Sequence, residues 1–195
     1  DQANTVYTLQ NDIIGITTDC FVIAANNITL DMNGYNITGN EGNIGVSITG
    51  YNNTVIKNGY IYDFSNGIYL VSSDNNLIDN ITSNSNSNKG ILTVSSSNNV
   101  ITNTTTNSND VGIWLSGSSG NQLTQITASS NRGGWGTGIY VVNGQNNVIK
   151  DSAANSNQYY GIGIAFAANN TVVTNNQVVS NNMYGIFLQR NKNNT

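Results

Sequence analysis

The stretch Gly67-Ile-Tyr-Leu-Val-Ser-Ser-Asp-Asn-Asn-Leu-Ile-Asp-Asn80 decides the fold, because the chain keeps returning to it. Its opening recurs as Gly45-Val-Ser-Ile, Gly90-Ile-Leu-Thr, Gly112-Ile-Trp-Leu, Gly138-Ile-Tyr-Val, Gly161-Ile-Gly-Ile and Gly185-Ile-Phe-Leu. The steps between these glycines are 22, 23, 22, 26, 23 and 24 residues. A second anchor follows: Asn53-Thr-Val-Ile, Asn75-Asn-Leu-Ile, Asn98-Asn-Val-Ile, Asn121-Gln-Leu-Thr, Asn146-Asn-Val-Ile and Asn170-Thr-Val-Val. A period in this range marks a solenoid, in which each repeat buries its apolar face only by stacking on its neighbours.

The kind of solenoid follows from the residues between the anchors. Leucine-rich repeats need a helix or helical turn in each unit. Here the connecting segments are Asn, Ser, Thr and Gly, which weaken helices and favour turns. Short runs such as Ile68-Tyr69-Leu70 alternate with the strand period. The Gly-Ile-x-apolar and Asn-x-Val-Ile-x-Asn pattern, with Leu30-Asp-Met-Asn-Gly-Tyr-Asn-Ile-Thr-Gly39 upstream, resembles a known repeat family. It is similar to the right-handed β-helix repeats of NosD-like and carbohydrate-binding/sugar-hydrolase (CASH) domains of bacterial and archaeal surface proteins. The likeness covers residues 20 to 195 and implies an all-β, right-handed, single-stranded parallel β-helix of about seven rungs. Residues 1–19 do not fit the repeat, and Val6-Tyr-Thr-Leu9 and Ile13-Ile-Gly-Ile16 are expected to cap the core as two short strands. The family-level link to copper-enzyme maturation does not carry over. One Cys, two Met and no His make a poor copper site.

Composition narrows the rest. Only 8% of residues are charged, while 39 of the 195 are Asn. Regular Ile, Val and Leu slots argue against an Asn-rich disordered tract. Asn58, Asn80, Asn103, Asp151 and Asn175 align as a turn ladder, with a defect expected at Ile126. The core is expected from Ile68/Leu70, Ile113/Leu115, Ile139/Val141, Ile162/Ile164 and Ile186/Leu188. Val55, Leu77, Val100, Leu123, Val148 and Val172 should lie beneath the second strand, and Thr93 is a polar intrusion. Cys20 begins the strand Cys20-Phe-Val-Ile as a buried thiol. Asn193-Asn-Thr195 repeats Asn52-Asn-Thr54 and Asn169-Asn-Thr171, so the chain is expected to stop within a rung. That implies more chain beyond Thr195 or another copy docked there, the alternative being a tail that folds back over the end.

The chemistry is marked by what the chain lacks. Without histidine there is no imidazole base and no His-based zinc or copper site. Six basic residues, scattered singly under a net charge of −4, form no stripe for nucleic acid. No apolar run reaches the ~18 residues of a membrane helix. The acids, Asp1, Asp12, Asp19, Asp31, Glu41, Asp63, Asp74, Asp79, Asp110 and Asp151, form no pair within a repeat tighter than Asp74/Asp79. The paired carboxylates of a β-helix hydrolase or the calcium-bound acid of a lyase are therefore not evident. Asp110 and Arg132 are expected to meet as a turn salt bridge. Calcium stays open only because oxygen-rich turns offer ligands. Seven Asn-x-Ser/Thr sequons, at Asn27, Asn36, Asn52, Asn80, Asn103, Asn169 and Asn193, are no more than this composition yields by chance.

One functional signal remains. The outward slot of the Gly-Ile-x strands reads Ser47, Tyr69, Leu92, Trp114, Tyr140, Gly163 and Phe187. Its aromatics, Tyr69, Trp114, Tyr140 and Phe187, suit stacking on sugar rings or contact with protein, though β-propensity alone also favours them. Arg132 and Trp135, in the insertion Arg132-Gly-Gly-Trp-Gly-Thr137, could extend that surface. The sequence therefore reads as a non-catalytic extracellular structural or adhesive β-helix of a cell-surface protein, able to assemble end to end. The alternative is a carbohydrate-binding or polysaccharide-processing domain. Partners are a glycan or further copies of the chain, with no cofactor implied.

Overall fold

Each repeat becomes one three-sided rung, and residues 2–195 are described by the computed structural model. Asp1, one of the acids named above, lies outside the described residues. The first side is an eight-stranded parallel sheet of Phe21–Ile23, Ile44–Thr49, Asn66–Val71, Lys89–Val94, Val111–Ser116, Thr137–Val142, Tyr160–Ala165 and Tyr184–Gln189. The second side is Val6–Thr8, Thr29–Asp31, Val55–Tyr62, Leu77–Asn84, Val100–Thr102, Gln122–Thr124, Val148–Lys150 and Val172–Thr174, with Asn36–Thr38 also pairing onto Val55–Tyr62. A third file is thinner, with single parallel bridges joining Thr82, Thr105, Thr127, Ala153 and Gln177 in turn. The described residues are all-β and make about eight rungs.

The corners account for much of the asparagine. Asn53, Asn75, Asn98, Asn146 and Asn170 turn one corner with φ between 54° and 59°. Asn58, Asn80, Asn103, Gln125, Asp151 and Asn175 turn the next with φ between 48° and 58°. Asn and Asp enter this left-handed region more readily than most L-residues, so one such residue per corner closes a rung cheaply. The second series corrects the expected ladder defect: Gln125 holds the turn slot, and Ile126 behind it is buried.

The glycine that opens each repeat answers to a close approach rather than to a turn. A Cβ on Gly45, Gly67, Gly90, Gly112, Gly138 or Gly161 would lie 2.5–2.7 Å from the carbonyl oxygen of the next rung's glycine. Only a bare backbone fits there. At Gly67 the missing Cβ also points at the buried Ser83 and Asn86, so it faces the same interior as Ile68. Strict alternation therefore breaks at the glycine, and the residue before it emerges on the outer face.

Ile68, Leu70, Ile113, Leu115, Ile139, Val141, Ile162 and Ile164 are fully buried, as the repeat predicts, and Ile91 joins them. Thr93 is a buried polar intrusion whose hydroxyl donates to Ser118 Oγ at 3.1 Å. Ile186 and Leu188 depart from expectation, at 48% and 57% exposed, because within the described chain no further rung covers them. The second strand corrects the expected register. The residues facing the core are Ile56, Ile78, Ile101, Leu123 and Ile149, whereas Val55, Leu77, Val100 and Val148 are only partly buried and Val172 is exposed. Leu123 pairs with Ile101, and Gln122 pairs with Val100. Matching Asn121 to Asn98 was one residue out, and in a strand one residue exchanges inside for outside. A similar shift holds at the end of the chain, where Asn194, not Thr195, takes the Thr171 slot and accepts from the Thr171 amide at 2.8 Å, while Asn193 turns the corner as Asn170 does.

Two further asparagine ladders run inside the solenoid. Asn76, Asn99, Asn121 and Asn147 are at most 2% exposed, and so are Asn86, Asn109, Asn131 and Asn157. Each Oδ1 accepts the backbone N–H of the preceding rung's residue, for example Asn99 to Asn121 at 2.9 Å and Asn109 to Asn131 at 2.9 Å. The side-chain amide of Asn99 adds a second bond to Asn121 Oδ1 at 3.1 Å. A shorter serine ladder links Ser73, Ser96 and Ser118 in the same way at 3.0 Å. These side chains satisfy corner amides that the sheets cannot reach.

At the N-terminal end, Val6–Thr8 pairs parallel with Thr29–Asp31 and so continues the second sheet. Residues 13–16 form no strand but a single parallel bridge from Ile13 to Ile37. Cys20 is half-buried against the core, and burial pushes its thiol up to about 11.

Candidate functional site

Register pairing lines Ser47, Tyr69, Leu92, Trp114, Tyr140, Gly163 and Phe187 in one file down the first sheet. The file is not uniformly open. Tyr140 points outward yet is only 4% exposed, which corrects its reading as a free surface ring. The insertion 132–136 folds back over it. Trp114 meets Tyr140 edge-on at 5.1 Å and 81°, and meets Trp135 at 5.4 Å and 69°. Val111, Val142 and Ala165 lie beneath these rings as a small apolar cluster outside the main core. Such satellite clusters form where a long loop covers a sheet.

Gly163 breaks the file, and the Tyr140 and Tyr160 rings crowd over it. A Cβ there would come within 2.5 Å of the Tyr140 ring. Beyond it stands a second wall. Tyr160 stacks on Phe187 at 4.5 Å with ring planes 6° apart, and Tyr184 joins both at 5.9 and 5.7 Å. Tyr160 and Tyr184 precede their glycines, so the break in alternation delivers them to the outer face. That position was missed from sequence because strict alternation assigns it to the core. Between the walls lies a cleft of about 460 Å³, lined by Gly134, Trp135, Tyr140, Tyr159, Tyr160, Phe166, Met183, Phe187 and Gln189. Its size falls within the usual range for small-ligand sites.

The charged pair Asp110–Lys89 sits under the aromatic loop, and exposed Arg190 follows the lining residue Gln189. Asp110 accepts from the Trp135 amide at 2.8 Å and from the Gly136 amide at 3.4 Å, which ties the loop down. The opposite side of that carboxylate meets Lys89 Nζ at 3.3 Å, and this nitrogen also lies 4.8 Å from the Trp114 ring. Asp110 therefore pairs with Lys89 and not with Arg132, which corrects the sequence expectation. Lys89 reaches it because it too precedes a glycine and so emerges outside. Arg132 is exposed and lines a separate depression with Ser156, Gln158 and Asn182. Tyr69 stands apart as well, with Leu92 between it and Trp114. The structure thus sets Trp135, Tyr140 and Phe187 on the cleft, packs Trp114 against Trp135 and Tyr140, and leaves Tyr69 and Arg132 outside.

Among the described residues no three His, Cys, Asp or Glu side chains converge as metal ligands. No described helix is long and apolar enough to cross a membrane. Replacing Asp110 with Ala is expected to cost about 2 kcal/mol, between the values for exposed and fully buried pairs. Acrylamide quenching of Trp135 should rise as the loop lifts. Unchanged quenching would show that the loop is held by ring packing alone.

A family model described as right handed beta helix region matches residues 1–134 and 93–195, together the whole chain. The protein belongs to the right-handed β-helix family, and its solenoid is right-handed. No curated protein matches the sequence. Among solved structures it is similar to the mannuronan C-5 epimerase AlgE4 A-module of Azotobacter vinelandii, with TM-score 0.77 and 15% identity over 95% of this chain and 57% of that one. It is also similar to the Dettilon tailspike protein, with TM-score 0.69 and 15% identity over 94% and 39% of the two chains. An alginate lyase from Paenibacillus gives TM-score 0.57 and 13% identity over 95% and 93%. The chain spans about half the length of the epimerase modules it resembles. At these identities the likeness is one of fold, and one fold hosts many activities.

Proposed function

We propose that this chain is a non-catalytic glycan-binding β-helix module of an extracellular or cell-surface protein, and that it adheres through the aromatic cleft. The observation that carries this reading is one cleft lined by two aromatic walls, Trp135 with Tyr140 and Tyr160 with Phe187, in which Trp135 is 51% exposed. Flat rings bind the C–H faces of sugars, and exposed rings grouped in a cleft are uncommon without a ligand. The carboxylate that touches the aromatic loop, Asp110, is engaged by Lys89 and two backbone amides, which suits holding a loop better than moving a proton. The names of two structural neighbours, a mannuronan epimerase and an alginate lyase, agree with glycan contact without specifying it.

The test is affinity electrophoresis through a panel of polysaccharides. Trp135→Ala should weaken binding by about 1–3 kcal/mol, by extension from aromatic stacking on other flat rings. Its melting temperature should fall only modestly, because half of the side chain is in solvent while the rest packs on Trp114 and Tyr140. Parental affinity in that variant would remove Trp135 from the binding surface.

A further inference from the structure

The cleft also carries information about charge. Its hydrogen-bonding side chains are neutral, namely Gln189 and the tyrosine hydroxyls, and no Lys or Arg lines it. Lys89, behind Trp114, is 8% exposed and already paired with Asp110. Arg132 faces the depression formed with Ser156, Gln158 and Asn182, and Arg190, although it follows Gln189, is exposed and is not among the lining residues. The chain as a whole carries a net charge of −4.

A uronate unit brings a carboxylate to the protein. Partly stripped of water, that group needs a cation or several converging donors, and long-range repulsion from a negative protein lowers its local concentration. An uncharged pyranose needs neither. Its C–H face lies on a ring, and its hydroxyls meet neutral donors and acceptors such as Gln189. Resting on the glycan reading above, we propose that the cleft takes uncharged pyranose units of a neutral polysaccharide and discriminates against uronate-bearing chains. Alginate and mannuronan are polyuronates, so the likeness in fold does not extend to the charge of the ligand. Gly163 lets the two walls hold their places, because any side chain there would meet the Tyr140 ring at 2.5 Å and the Tyr160 ring at 3.4 Å and displace them.

Affinity electrophoresis of the full chain in gels containing glucan, mannan or xylan, against alginate and polygalacturonate, tests this at low and high salt. The expected result is binding to a neutral polymer at least about tenfold tighter than to either polyuronate, with little salt dependence. Gly163→Phe should abolish that retardation. Phe187→Ala, which removes a wall ring without adding bulk, should weaken it about tenfold and serves as the second variant should Gly163→Phe fold poorly. Salt-sensitive binding to a polyuronate with none to neutral polymers would overturn this inference while leaving glycan binding intact. Retardation by neither class would overturn both. Neutral binding that survives in both variants would place the site elsewhere on the solenoid.

Discussion

Ile139→Asp is expected to destabilise the solenoid by more than about 4 kcal/mol, the largest effect among single substitutions considered for this chain. Ile139 is fully buried, between Ile113 and Ile162 in the aligned strands of the neighbouring rungs. A carboxylate there has no cationic partner, since the nearby file is Ile, Leu and Val. The buried acid would have a folded pKa above its unfolded value of about 3.9. Its penalty is therefore greatest above the folded pKa and smallest below pH ~4, where both states carry the proton. Because each rung is stabilised by its neighbours, the loss spreads to the rungs on either side. Urea unfolding followed by circular dichroism reads the effect as a lower midpoint that partly recovers in acid. A midpoint equal to the parent's would mean that the strand register is wrong.

Asn121→Leu should cost about 4 kcal/mol although it is nearly isosteric. Asn121 is fully buried. Its Oδ1 accepts from the Asn99 amide at 2.9 Å and from Asn99 Nδ2 at 3.1 Å, and its own Nδ2 donates to the Ser96 carbonyl at 3.2 Å. Leucine leaves those three groups without these partners in a dry interior, at roughly 1–3 kcal/mol each before relaxation. The outer turn ladder supplies an internal comparison. Asn80 is exposed and gives one bond to Asn58 Oδ1 at 3.0 Å. Asn80→Gly keeps the left-handed turn accessible and should cost under about 1 kcal/mol. If the two substitutions proved equally mild, the buried ladders would be filling space rather than satisfying the backbone.

The outer ladder was the one legible from sequence, and it is the less regular of the two kinds. Asn103 donates to Asp79 at 2.9 Å rather than to Asn80, and Asn58 reaches Asp31 at 3.1 Å. In sequence, Asn75 and Asn76 look alike. One turns the corner with positive φ in solvent while the other is buried, and composition does not separate them. The rung's corner decides, by aiming one amide at the backbone of the adjoining rung.

What the sequence alone determined was the solenoid, its parallel strands, the phase of the Gly-Ile sheet and the outward file from Ser47 to Phe187. Those follow from a period of about 23 residues and from local alternation, both of which are properties of the chain read in one dimension. Tertiary structure alone decided three things. It set the second strand by stacking Leu123 on Ile101, a register that the Asn anchors alone place one residue away. It turned the residue before each glycine outward, which brought Lys89, Tyr160 and Tyr184 into the outer-face constellation. It laid the 132–136 loop over Tyr140, burying a ring that alternation left exposed. Each depends on how closely one rung approaches the next, and that distance is set by the glycine stack and the loop's tether to Asp110 rather than by any local preference.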